Sequence, residues 1–163
     1  MTRPLVILGA DPGSTDTAAS WVTPVRPGRV RHLGKAMVRS NGLALGELLE
    51  RIAPDVVAVE CAEGGVFQPF RAKYLLASQF AGGILAGLAL AQGIELVTTS
   101  AQTWRKEVLG SLKRGQNYDE VIARVLPAMV EGFQSGNVHT RDATGIALWA
   151  ALQPAARTKV AGA

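Results

Sequence analysis

A single cysteine, Cys61, leaves the 163-residue chain no partner for an internal disulfide and fits a reducing compartment, so a cytoplasmic location is expected. No secretory signal is expected, because Thr2 and Arg3 lead into only a short apolar run that Asp11 interrupts. No internal repeat and no Pro/Gly/Ser-rich linker divides the sequence. One domain is therefore expected over residues 1–153, with a frayed tail at 154–163 that lacks apolar periodicity. Acids are also in deficit. Against 17 Lys and Arg there are 13 Asp and Glu, and the net charge of +4 favours a polyanionic partner over a charge that serves solubility alone. What is plentiful is apolar residues, 48% of the chain, enough for a folded core.

Those apolar residues come in patterned runs. Residues 4–11 (PLVILGAD) are apolar on both faces and read as a central strand. Residues 17–23 (TAASWVT) and 30–38 (VRHLGKAMV) read as two more strands around the turn-forming PVRPGR, which makes the first three strands an antiparallel meander. From Asn41, a capping residue, LALGELLERI sets Leu43, Leu45, Leu48, Leu49 and Ile52 along one helical stripe, and Pro54 ends it. DVVAVE (55–60) is another buried strand. Residues 71–93 form the longest helix, uncharged from Tyr74 to Ile94. Roughly twenty uncharged residues match a membrane span in length, but Ser78, Gln79, Gln92 and many Ala and Gly leave the stretch weakly hydrophobic. It reads instead as a helix buried on two sides, against the sheet and against a second helix that a partner subunit could supply; no membrane partner is expected. A strand at 94–100 (IELVTTS) leads into the helix AQTWRKEVLG. After the basic SLKRGQN, YDEVIARVLPAMVEGF is helical until Pro127 interrupts it. Residues 139–152 (HTRDATGIALWAAL) form a final helix with Ala143, Ile146, Ala147 and Ala150 on its buried face.

Asp11 and Glu60 both stand where a hydrophobic strand runs out. Taken singly, Asp11 suits a Pro-Gly turn, Glu60 an exposed strand end and Asp142 the first turn of a helix. If the two strands are adjacent and parallel, however, both carboxylates share the sheet edge where open α/β sheets carry their sites. Two anions there repel unless a cation intervenes, and a divalent ion held by oxygen ligands is the natural one. Asp142 can close such a site, with His139 on the same helical face at i and i+3.

In that order, "ILGADPGS", "DVVAVE", "TWRKEVLG" with the basic stretch after it, and "HTRDATGIALWA" resemble the RuvC-type Holliday-junction resolvases over roughly residues 5–152. The resemblance implies an RNase H-like α/β fold, with a five-stranded mixed sheet and helices on both faces. It also implies a homodimer that nicks four-way DNA junctions symmetrically with divalent metal. The family's metal-binding acids carry over to Asp11, Glu60 and Asp142, and its fourth position to His139, which some members fill with an acid. Two Mg²⁺ ions per active site are implied, and because an imidazole is more at home on Mn²⁺, manganese is expected to substitute. His139 could instead orient the attacking water. Arg105 aligns with a family lysine beside the scissile phosphate. Lys106 follows it, and Lys113 and Arg114 lie in a loop expected to reach the DNA backbone. In the segment CAEGGVFQPFRAKY the family carries an aromatic that stacks on bases. Phe67 and Phe70 both qualify, with Arg71 and Lys73 to hold neighbouring phosphates. The compact chain is similar to phage-type members. Broader action on flaps and forks, or binding of branched nucleic acid without cutting, are the alternatives. "DPGST" also resembles the phosphate loop of actin-like ATPases, but no second phosphate loop accompanies it.

Overall fold

A computed structural model of the chain describes residues 3–61 and 72–154, the side chains of 72–75 excepted. Its centre is a sheet of six strands in the order β5-β4-β1-β2-β3-β6. β1 (Ile7–Asp11) lies parallel to β4 (Val56–Glu60) and antiparallel to β2 (Asp16–Arg26). β3 (Arg29–Arg39) returns antiparallel to β2, and β5 (Glu95–Thr99) runs parallel to β4. The antiparallel meander is as expected, but the count of five strands is corrected to six. The added strand, β6 (Val130–Glu131), pairs parallel with β3 and is too short to show a period-two pattern in sequence. The turn after β2 is also tighter than PVRPGR, because the strands continue to Arg26 and resume at Arg29. Gly28 takes the positive φ of 75° that the turn needs, and a register shift lets Pro24 sit inside β2.

Alternation along the strands sends side chains into two cores. Leu8 and Ala10 of β1 and Val57 and Val59 of β4 pack on α1 (Gly42–Ile52) and α2 (Ala72–Ala91). Ile7, Val56 and Ala58 face the other way, onto α3 (Ala101–Leu109), α4 (Tyr118–Met129) and α5 (Val138–Leu152). Helices thus cover both faces. Asn41 caps α1 by accepting the Ala44 N–H at 3.0 Å, and Leu45, Leu48 and Leu49 form its buried stripe. Leu43, expected in that stripe, is 75% exposed. Pro127 does not interrupt α4: it falls in the last turn, where its missing N–H removes a single bond, and the helix runs on to Met129.

Helix α2 buries Ala81, Leu85 and Ala89 against the sheet and α1 while Leu76, Phe80 and Leu90 stay exposed. Among the described residues it is therefore buried on one side. No helix among the described residues is long and apolar enough to cross a membrane. The segment with Phe67, Phe70 and Arg71, and the tail beyond Pro154, lie outside the described residues.

Helix α5 is buried nearly all round, from Thr140 and Asp142 through Ala150. A Cβ on Gly9 would collide with the Ala143 carbonyl and the Ala147 backbone, and one on Gly145 would collide with the Trp104 ring. Contacts this close, with backbone at Gly9 and with an aromatic ring at Gly145, admit only hydrogen on those α-carbons. Gly9→Ala is accordingly expected to destabilise the fold by about 1–3 kcal/mol, read as a lower denaturant midpoint at unchanged slope.

Candidate active site

The same alternation places the acids. In β1 the residues facing α5 are Ile7, Gly9 and then Asp11, and in β4 they are Val56, Ala58 and then Glu60. Both carboxylates lie one step past the Ala10–Val59 pair of two parallel strands, at one sheet edge and on one face. Helix α5 begins above that edge. Asn137 caps it by accepting the Thr140 N–H at 2.8 Å, which starts the helix so that His139 and Asp142 share its lower face. The loop before the cap is tethered by Lys35 of β3, whose Nζ donates to the carbonyls of Gln134 and Ser135 at 3.0 and 2.6 Å.

Five of the expected residues therefore come to this edge, and each has a named partner. His139 Nδ1 lies 2.9 Å from Asp11 Oδ2. Trp104 Nε1 donates to Glu60 Oε2 at 2.6 Å from a ring that is fully buried. Arg105 donates to Asp142 Oδ2 at 2.9 Å, and the Tyr118 hydroxyl donates to Asp142 Oδ1 at 3.0 Å. The Arg105 guanidinium lies 4.2 Å from the centre of the Tyr118 ring, with the Arg141 guanidinium 5.6 Å from it. Arg141 is tied to Asp119 at 2.6 Å. Trp104, Tyr118 and Arg141 were not among the residues expected from sequence. Trp104 and Arg141 adjoin Arg105 and Asp142 in the motifs quoted above, whereas Tyr118 follows the Asn117 cap of α4 with nothing local to mark it.

Burial is the largest influence on both strand-end acids. It raises the pKa of Asp11, against the pull of the His139 contact, with the negative charge of Asp142 adding to the rise. It raises Glu60 likewise; the Trp104 hydrogen bond lowers it, and the charge of Asp11 raises it again. Burial and the neighbouring Asp142 push the Tyr118 hydroxyl far above its usual range, so it stays a donor. The donor set, three carboxylates and an imidazole at one partly desolvated edge, fits a divalent cation in chemistry and in its excess of negative charge. As the side chains stand, no three His, Cys, Asp or Glu among the described residues are gathered to grip one ion. Both oxygens of Asp142 are engaged by Arg105 and Tyr118 instead.

Lys106 is exposed on α3, and Lys113 and Arg114 are exposed in the loop between α3 and α4; none of the three is paired with the carboxylates. Lys73 falls in the first turn of α2.

Comparison with solved structures places this architecture. Thermus thermophilus RuvC in complex with a Holliday junction substrate superposes with a TM-score of 0.76 at 22% identity, covering 95% of this chain and 96% of that one. A second Thermus thermophilus RuvC structure gives 0.74 at 22% identity, over 95% and 97%. The fold is that of RuvC. A yeast mitochondrial Holliday junction resolvase shares it more distantly, with a TM-score of 0.57 at 12% identity over 96% of this chain and 85% of that one. No family model and no curated protein matches the sequence. The RuvC-like topology is an RNase H-like α/β fold whose first strand is central and ends on Asp11.

The raised carboxylates have a consequence for stability. The folded chain keeps protons on Asp11 and Glu60 that the unfolded chain releases, so their contribution is fully present below the ordinary values of 3.8 and 4.5. It is lost as pH rises through the raised ones. Asp11→Asn is expected to melt above the parent protein at pH 7–8, with the gap closing towards pH 4, in thermal unfolding followed by circular dichroism.

Proposed function

We propose that this chain is a metal-dependent, structure-selective endonuclease that resolves four-way DNA junctions by paired phosphodiester hydrolysis. The observation that carries this reading is the convergence of Asp11, Glu60 and Asp142, from three separate elements, on one edge of a RuvC fold beside Arg105. Those acids, with His139, are the residues that would hold two divalent ions, Mg²⁺ with Mn²⁺ able to substitute. When bound, such ions activate a water and neutralise charge on the departing 3′ oxygen.

The protein's own groups do the rest. Trp104 fixes one oxygen of Glu60 and leaves its second oxygen in a defined direction, while Tyr118 and Arg105 together fix the plane of the Asp142 carboxylate. His139, seated on Asp11, serves as a ligand or orients the attacking water. In this reading Arg105 holds the scissile phosphate, and Lys106, Lys113 and Arg114 grip the backbone further out. Phe67 or Phe70 would stack on a base where the arms separate, with Arg71 and Lys73 on adjacent phosphates.

Symmetric nicking needs two sites, and α2 supports a homodimer. Leu76, Phe80 and Leu90 are exposed on it at helical spacing, and Gly83 and Gly87 leave open space above the backbone for close approach of a second copy.

On a labelled four-way junction with Mg²⁺ or Mn²⁺, the protein is expected to make paired nicks absent from matched linear duplex and abolished by EDTA. Asp11→Asn and Asp142→Asn should each cut the rate by about a thousandfold or more while still shifting the junction in a gel. Retained cleavage in Asp11→Asn would remove that residue from the site. For the dimer, light scattering should give twice the chain mass for the parent and the chain mass for Phe80→Glu, since a buried unpaired carboxylate is not tolerated at an apolar interface.

A further inference from the structure

The neighbours of Arg105 set it apart from the other cations of the chain. Its hydrogen bond to Asp142 Oδ2 is the one its guanidinium makes among the described residues; its buried Nε, like that of Arg141, has no hydrogen-bond partner. Otherwise it is held by ring faces, 4.2 Å from the centre of Tyr118 and 5.4 Å from that of Trp104. Arg141, the other guanidinium near Asp142, differs: it is anchored on Asp119 and approaches Asp142 Oδ1 only to 3.6 Å. Arg105 is also the positive charge that Asp11 and Glu60 feel in common. It thus stands where three carboxylates need a cation, fastened to one of them by a single bond and supported by stacking that does not depend on that bond.

We propose that Arg105 is a displaceable counter-cation: it occupies Asp142 Oδ2 until a divalent ion takes that oxygen, and the released guanidinium, still seated on the Tyr118 ring, turns to the substrate phosphate. This rests on the nuclease reading above and adds a coupling to it. The group that neutralises the site beforehand is the group that becomes available to DNA when metal arrives, so loading of metal and readiness for phosphate are linked. Tyr118 is then a positioning residue, holding Asp142 by its hydroxyl and Arg105 by its ring.

The test is Mn²⁺ binding without DNA, by titration calorimetry, on the parent, Arg105→Met and Arg105→Lys, with Asp142→Asn as the blank and circular dichroism to establish folding. Arg105→Met is expected to bind Mn²⁺ about three- to tenfold more tightly than the parent, the size of one partly exposed charge-assisted bond. Arg105→Lys is the decisive variant. It keeps the charge but loses the planar stacking and directed donors, so displacement predicts binding tighter than the parent's, between the two. If Arg105→Lys matches the parent while Arg105→Met binds more tightly, Arg105 acts only as distant positive charge and the proposal fails. Unchanged or weaker binding in Arg105→Met also overturns it, and should that variant not fold, the lysine variant decides alone. Either failure alongside normal junction cleavage leaves the nuclease reading standing. Absence of Mn²⁺ binding in every protein, with no cleavage, defeats both.

Discussion

Helix α5 can lie on β1 only because Gly9 has no side chain, and the rest of the site follows from that contact. The helix backbone rests against the strand backbone at Ala143 and Ala147, and Trp104 fills the space that Gly145 leaves on the opposite side of the helix. A helix seated so low brings its first turns level with the ends of β1 and β4. Asp142 is thereby set among Asp11, Glu60 and Arg105 without any long side chain having to reach for them. Trp104 joins the packing to the chemistry, since the ring wedged on Gly145 is the one whose N–H holds Glu60. Position of the helix and orientation of the carboxylate are set by one side chain.

Much of this was legible in the residues. The strand-end acids announced themselves because hydrophobic runs stop on them, and the period-two rule then assigns both to one face once the strands are known to be parallel neighbours. His139 and Asp142 shared a helical face by their spacing alone. The long uncharged helix was visible, but not that its outer face is left open, because Leu76 and Phe80 look in sequence like any core residues. Leu43 misled for the same reason: periodicity names a stripe, and the stripe's first member can lie beyond the edge of what it packs on. β6 was too short to register, and Pro127 looked like a terminator because sequence does not show how near a helix is to its own end. Tyr118 was beyond reach. Its role depends on α4 folding back so that a first-turn aromatic lies beneath a guanidinium from α3, a purely tertiary event.

The electrostatics of the edge have a simple logic. Three carboxylates make an anionic cluster in a partly desolvated place, and the fold meets it in graded ways. A neutral donor, Trp104, serves Glu60; an imidazole serves Asp11; a guanidinium and a hydroxyl serve Asp142. Each of these partners leaves the carboxylate present and correctly turned, whereas filling the space with apolar groups would stabilise the fold and abolish the site.

The tether made by Lys35 has a meaning beyond the cap of α5. β6 covers only Val30 and Arg31 of β3, which would leave the remainder of an eleven-residue strand as an open sheet margin. Along that margin Arg29 binds the Ala128 carbonyl, Arg31 pairs with Glu131, and Lys35 holds the carbonyls of Gln134 and Ser135. Positive side chains fastened along a margin, with a strap of main chain laid beside it, are what keep exposed strands from recruiting another copy into a continuous ribbon. The segment that delivers His139 to the carboxylates thus also lies along a sheet margin, and loosening it would bare strand backbone as well as displace His139.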